Sequence, residues 1–332
     1  MAVYTAIDDP EAYFQAKLYT GNGGSQSITL DGDTDMQPDL IWIKERDDAH
    51  SSSVIDSVRG VRKTLTSDES AAVITESSGL SAFDSDGFSF DGAGGNHVNA
   101  SDQPTVAWCW KESATAGFDI VGYTGNGTDD TDISHSLSAV PHVMIVKKRS
   151  GSAGWIIYHH KNKSDPETDY LALHNTAATA DDATVWSDEA PTSSVFTLGD
   201  NGDGNADSAT FINYLWTGIQ GFSKFGTFEG NGNADGAFVY TGFRPAFVMT
   251  KSIDSTSSYH MFDNKREGYN VDNDALIAEA PDAEVTTDMI DLLSNGFKLR
   301  IAGDPNVAET YVYMAFAEAP IANSNGVPCN AR

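Results

Sequence analysis

The sequence predicts an all-β protein built of three tandem, mutually similar β-sandwich-like units of about 105 residues each. Three observations predict this fold class. Short sequence landmarks recur at that spacing, the apolar runs between turn residues have the length of strands, and helix signals are nearly absent. Because 40% of the 332 residues are hydrophobic, each unit has enough material for a core.

The first landmark is a Gly-Asn-Gly turn, which begins at Gly21, Gly125 and Gly230. A glycine-rich loop after an apolar stretch can hold a nucleotide phosphate. No Lys-Ser/Thr pair follows any of these turns, however, so a Walker-type loop is excluded. Glycine and asparagine provide the positive φ values of tight turns, and the threefold recurrence favours a structural role.

The other landmarks are strands. A proline opens an apolar run that ends in lysine six residues later, at 38–44, 141–147 and 245–251. A turn followed by a Phe-containing strand comes next, at 86–90, 194–198 and 295–299. An aromatic strand then closes each unit, at 106–110, 212–216 and 312–316. Since residues two apart share one face of a strand, the large side chains of the closing strands are expected to face the core.

These landmarks divide the chain into an N-terminal anchor segment, three units and a C-terminal tail. The predicted boundaries are 1–17 for the anchor, 18–116, 117–220 and 221–320 for the units, and 321–332 for the tail. Either an approximate internal three-fold arrangement of the units or a linear row is compatible with the repeats.

The anchor carries the only good helix signal, since Asp9 can cap a helix and Pro10 can occupy its first position. The predicted helical turn either plugs into a neighbouring protein or merely leads into the first strand.

Charge and composition exclude several partners. There are 48 acidic and 20 basic side chains, and the net charge of −28 repels polyphosphate and anionic lipid, so no nucleic acid is expected. No apolar run reaches the roughly 18 to 20 residues of a membrane span, and the N-terminus lacks the features of a Sec signal, so no membrane insertion is expected. Cys109 and Cys329 have no metal-type spacing and are expected to be free thiols.

One loop resembles a calcium site. Asp203, Asn205 and Asp207 alternate as oxygen ligands do in calcium loops, but the glycine at the sixth position and the glutamate at the twelfth are missing. An Asx-rich turn is the favoured interpretation, and we predict no metal ligand.

No catalytic residue is predicted either. His159, His160 and His174 lie in or beside predicted strands, but nothing completes a triad or another catalytic motif around them. Asp56 and Arg59 recur as Asp263 and Arg266, which favours a structural ion pair over a ligand-binding pair.

Two tryptophans bear on carbohydrate binding. Trp155 and Trp186 lie outside the closing strands, and exposure in loops would support a lectin-like function. A tryptophan that begins a strand is more often part of a core, and we favour that interpretation.

The landmarks together resemble a family of β-rich virion proteins of marine bacteriophages that are labelled tail-fibre or structural proteins. The matching pieces include YTGNG, PDLIWIK, FDSDGFSF, VAWCWK, the stretch 221–251, LSNGFKLR, YVYMAFAEAP and NSNGVPCNAR. The resemblance implies a virion component and carries no catalytic residues or cofactor.

We therefore expect a non-enzymatic structural protein on the outer surface of a bacteriophage virion, either in a tail fibre or receptor-binding assembly or as capsid decoration. Its expected partners are other virion proteins and a host surface glycan or receptor. It would be multicopy or homo-oligomeric and assembled in the host cytoplasm. The alternative is a lectin-like protein or depolymerase that acts on host surface polysaccharide.

Overall fold

The computed structural model describes residues 4–266 and 274–329. It confirms the all-β class: the strands form several separate sheets, and the two α-helices of the described residues have four residues each. In this part of the chain, no helix combines the length and the apolar composition that a membrane span requires.

The first unit contains nine strands. They are β1 (Phe14–Thr20), β2 (Ser25–Ile28), β3 (Leu40–Glu45), β4 (Ser53–Asp56), β5 (Lys63–Thr66), β6 (Ile74–Thr75), β7 (Leu80–Asp84), β8 (Gly87–Asp91) and β9 (Pro104–Trp110). A 3₁₀ turn at Gly95–His97 precedes β9.

The second unit contains eight strands and both α-helices. They are β10 (Phe118–Thr124), β11 (Thr131–Ser134), β12 (Val143–Lys148), β13 (Trp155–His159), β14 (Asp169–Ala172), β15 (Ala180–Asp181), α1 (Ala183–Trp186), β16 (Val195–Leu198), α2 (Gly202–Asn205) and β17 (Thr210–Trp216).

The third unit contains the last eight strands of the described chain. They are β18 (Ser223–Glu229), β19 (Phe238–Tyr240), β20 (Phe243–Ser252), β21 (His260–Asp263), β22 (Leu276–Ile277), β23 (Ile290–Leu293), β24 (Gly296–Leu299) and β25 (Thr310–Pro320).

Each unit pairs a large sheet with a small one, and the strand order follows one scheme. In every large sheet the first strand of the unit pairs with the last, the last pairs with the third, and the fourth and fifth follow: β1-β9-β3-β4-β5-β6, β10-β17-β12-β13-β14-β15 and β18-β25-β20-β21-β22. The small sheets are β2-β8-β7, β11-β16 and β19-β24-β23. That the three units superpose closely stays a prediction.

Alternation along the strands explains why the large sheets are apolar on both faces. In β9, Ala107 and Cys109 point into the core between the two sheets of the first unit. Val106, Trp108 and Trp110 point the other way, into a second core to which all three units contribute. The closing strands therefore do face a core, as predicted, and for the first two units it is the core between units rather than within one.

Each unit contacts both of the others. Val73 donates its backbone N–H to Arg149 O, Thr179 to Ile253 O, and Glu284 to Arg46 O. These three bonds join the first unit to the second, the second to the third, and the third to the first. A linear row would keep the first and third units apart, so the linear alternative is wrong.

The N-terminal segment enters the first strand rather than forming a separate helix. Pro10–Ala12 is a single 3₁₀ turn with proline at its start, as predicted, and β1 begins at Phe14. The predicted cap is wrong, because Asp9 makes no capping bond and instead accepts a hydrogen bond from Thr34 at 2.5 Å. Ile7 is buried in the core shared by the units, and residues 1–3 lie outside the described part.

Candidate functional site

The Gly-Asn-Gly turns are structural, and their two glycines are needed for different reasons. The second glycine of each turn has a positive φ, 70° at Gly23, 65° at Gly127 and 64° at Gly232. The first glycine lies against backbone: a Cβ on Gly125 would be 2.5 Å from Ala206 O. The turns thus have a complete structural explanation.

A buried asparagine that the sequence analysis missed holds each turn. Asn99, Asn205 and Asn306 are fully buried. Asn205 Oδ1 accepts the N–H of Asn126 at 3.0 Å, and its Nδ2 donates to the carbonyls of Thr128 and Gly199, both at 2.8 Å. Asn99 and Asn306 make corresponding bonds to their own turns. The signal available in the sequence was an asparagine about 75 to 80 residues after each turn.

The hydrogen bonds of Asn205 argue against the calcium hypothesis. Its side chain is committed to backbone groups, and Gly202–Asn205 forms a short helix capped by Asn201, whose side chain accepts the N–H of Asp203 at 2.9 Å. Across residues 4–266 and 274–329, no three His, Cys, Asp or Glu side chains gather as metal ligands would. An Asx turn at Asn201 opens the short helix, so part of the loop is helical rather than the turn that the sequence favoured, and calcium binding stays a hypothesis.

We expect Asn205→Ala to lower the free energy of unfolding by on the order of 3 kcal/mol, because one N–H and two carbonyls would lose their buried partner. Asp207→Ala, which removes an exposed member of the proposed calcium set, should change it by less than about 0.5 kcal/mol. Urea denaturation of both variants measures this. A larger loss in Asp207→Ala would restore the calcium interpretation.

The lysine six residues after each landmark proline is buried and reaches a neighbouring unit. The prediction that these prolines open the strands is wrong, because β3 and β12 begin two residues after Pro38 and Pro141, and Pro245 lies inside β20. Lys44, Lys147 and Lys251 are at most 1% exposed. Lys44 Nζ donates to Pro281 O at 2.9 Å, Lys147 Nζ to Ser70 O at 2.9 Å, and Lys251 Nζ to Thr176 O at 3.3 Å. Burial lowers the pKa of each amine to about 8. These lysines join units and are not surface charges.

The predicted Asp–Arg pairs are structural and also lie at contacts between units. Arg59 Nε donates to Asp56 at 2.5 Å, and both side chains are fully buried. Tyr214 of the second unit donates its hydroxyl to the same carboxylate at 2.7 Å. In the third unit Arg266 donates to Asp263 at 2.7 Å, and Trp108 of the first unit donates to that carboxylate at 3.0 Å.

His159 takes the corresponding place in the second unit. It ends β13 as Asp56 ends β4 and Asp263 ends β21, and its Nε2 contacts Tyr313 O of the third unit at 3.2 Å. Burial lowers the pKa of His159 to about 3, so the ring is neutral at neutral pH. The three contacts complete a second cycle around the units.

The other predicted side chains belong to the packing as well. His160 stacks on His142 with ring centroids 4.0 Å apart, and burial lowers the pKa of His142 to about 4. His174 accepts the N–H of Trp155 at 3.1 Å. Trp155 and Trp186 are each 1% exposed, so they do not form a lectin surface. Both cysteines are free thiols, as predicted.

Two of the exposed aromatic side chains lie in the third unit, and the sequence analysis missed them. On β19, Phe238 is 49% and Tyr240 52% exposed, whereas Val239 between them is buried. Tyr240 lines two pockets of about 370 and 480 Å³, which also share Lys224 and Phe225, and Phe238 lines the larger of the two. We call this surface, formed by Lys224, Phe225, Phe238 and Tyr240, the Tyr240 groove. Cavities of these volumes are large enough for a small-molecule or oligosaccharide segment.

The fold and these surfaces define an all-β protein of several sheets, which buried polar contacts join and whose described residues include the aromatic Tyr240 groove. The chain belongs to the family described as a domain of unknown function (DUF7483), which it matches over residues 9–320. No curated protein matches the chain significantly. No solved structure does so either.

Proposed function

We propose that the protein is a non-enzymatic structural component on the outer surface of a bacteriophage virion, in a tail fibre or receptor-binding assembly or as capsid decoration. One observation carries this proposal: the residues that recur along the chain serve turns and contacts between units. Lys44, Lys147 and Lys251 illustrate this, since each links its unit to a neighbour. Because the recurring polar residues hold the units together, the protein is suited to a structural role in an assembly.

The surface charge supports the same role. A net charge of −28 keeps a β-rich protein soluble at high copy number and discourages pairing of exposed strand edges. The first strands β1, β10 and β18 each lie at the edge of a large sheet. These edges and the adjoining loops are where we place weak contacts to other virion proteins, which many copies would strengthen through avidity.

Locating the protein on intact particles tests this proposal. Antibodies against the chain, visualised by electron microscopy, should label the outside of the capsid or the tail. Label at the capsid would indicate decoration, and label at the tail tip would indicate receptor binding. Particles that contain none of the chain would refute the proposal.

A second candidate is a carbohydrate-binding or depolymerising protein that acts on host surface polysaccharide, and the Tyr240 groove favours it. Exposed Phe238 and Tyr240 provide flat apolar faces beside polar pocket walls. A glycan array followed by an assay for reducing ends distinguishes a lectin from a depolymerase. Binding without release indicates a lectin, release indicates a depolymerase, and neither result leaves the structural role.

A further inference from the structure

We propose that the Tyr240 groove binds an acidic oligosaccharide, so that the third unit alone is specialised for glycan recognition. This inference deepens the host-recognition role proposed above and depends on it. Four side chains carry it: Lys224 and Phe225 from β18, and Phe238 and Tyr240 from β19.

The internal correspondence of the units shows that the fold does not require these side chains. Lys224 pairs with Ala315 in β25, and the residues at the same register position in the other units are Gln15, opposite Cys109, and Asp119, opposite Leu215. The lysine is therefore specific to the third unit.

The aromatic pair is specific to the third unit too. Val239 pairs with Phe297, as Ile28 pairs with Phe88 and Ile133 with Phe196. The neighbours of these buried residues can therefore be compared. In the place of Phe238 the first two units have Ser27 and Asp132, and in the place of Tyr240 they have Thr29 and Ser134. The fold accepts small polar residues at these positions. The two large exposed rings of the third unit are therefore not needed for folding, which indicates a function in binding.

The geometry of the groove suits a chain of sugar rings. Phe238 and Tyr240 are two residues apart on one face of a strand, so their rings project side by side about 7 Å apart along it. Lys224 Nζ donates to Tyr240 O at 2.6 Å and lies 5.4 Å from the centroid of the Tyr240 ring. These contacts fix the tyrosine and the lysine together, and a preorganised site loses less entropy on binding.

The local charge selects an acidic ligand. The whole chain has 48 acidic and 20 basic side chains, but the charged residues that line the two pockets are Lys161, Lys224 and Glu229. Cations thus outnumber carboxylates in the groove, in contrast to the protein as a whole. Carboxylate groups on a sugar would complement the two lysines, whereas the strongly negative remainder of the surface disfavours polyphosphate.

Titration calorimetry of the full chain with a hexasaccharide of mannuronic acid, and with a neutral hexasaccharide of mannose, tests the inference. We expect the acidic hexasaccharide to bind, and we expect the affinity for the neutral hexasaccharide to be at least tenfold lower. The double variant Phe238→Ala/Tyr240→Ala should weaken binding at least tenfold, and Lys224→Gln should weaken it several-fold and reduce its salt dependence. The matched control Asp132→Ala/Ser134→Ala, at the corresponding positions of the second unit, should bind as the unchanged protein does.

Several results would overturn the inference. These are absence of binding to the acidic hexasaccharide, equal affinity for both sugars, or equal losses in the control variant. If the aromatic variant instead binds sugar normally but fails to enter particles, the groove is a contact to a virion protein. Sugar binding is measured on the isolated protein, whereas the location of the protein is measured on particles. Failure of the sugar-binding proposal can therefore be distinguished from failure of the virion proposal.

Discussion

Replacing Asp56 by alanine is expected to lower the free energy of unfolding by about 3–5 kcal/mol, because it leaves a buried guanidinium without its carboxylate. Arg59 and Asp56 are fully buried, and the carboxylate also accepts the hydroxyl of Tyr214 from the second unit. The substitution therefore affects both the loop of the first unit and its contact to the second. Guanidinium denaturation followed by tryptophan fluorescence measures the loss.

Two comparisons distinguish the effect of the unpaired buried charge on stability from the effect of removing any carboxylate. Asp31→Ala removes the half-exposed partner of Lys17 and should cost less than about 1 kcal/mol. Adding Arg59→Met to Asp56→Ala removes the buried charge itself and should recover part of the loss. If the double variant is less stable than Asp56→Ala alone, the charge is not the cause.

Replacing Trp110 by alanine should be similarly severe, with a loss of about 3–5 kcal/mol, because it opens a cavity where the three units meet. The indole ring lies 6.2 Å from Trp216 of the second unit and 5.8 and 5.7 Å from Phe247 and Phe316 of the third, measured between ring centroids. Because side chains of all three units line this cavity, rearrangement within one unit would not fill it.

The matched control is Phe238→Ala, which removes an aromatic side chain from the surface. Because Phe238 is half exposed, its truncation should change the free energy of unfolding by less than about 0.5 kcal/mol. Denaturation curves of both variants provide the comparison. Similar losses in the two would mean that the contacts at Trp110 add little beyond the removal of an aromatic ring.

The parts of the fold that depend on local chemistry could be predicted from sequence. Gly-Asn-Gly turns, the short apolar strands and the alternation in β9 each follow from the conformational preferences of a few adjacent residues. The structural ion pair Asp56–Arg59 was also predictable, since its two residues lie three apart and recur at Asp263 and Arg266.

The parts that depend on long-range contacts could not be predicted in the same way. The acceptor of Lys44, the carbonyl of Pro281, lies 237 residues away in the sequence, so local patterns do not indicate this contact. His159 likewise contacts a carbonyl of the third unit, that of Tyr313, which lies 154 residues away in the sequence. The burial of Trp155 was favoured from the sequence and is confirmed, whereas the exposure of Tyr240 was missed.

The central claim is that the contacts between units make the three sandwiches one rigid body, and differential scanning calorimetry of the whole chain tests it most directly. If the claim holds, the chain unfolds in one transition whose calorimetric enthalpy equals its van't Hoff enthalpy. Two or three separate transitions, each with the enthalpy of a unit of about 105 residues, would contradict it.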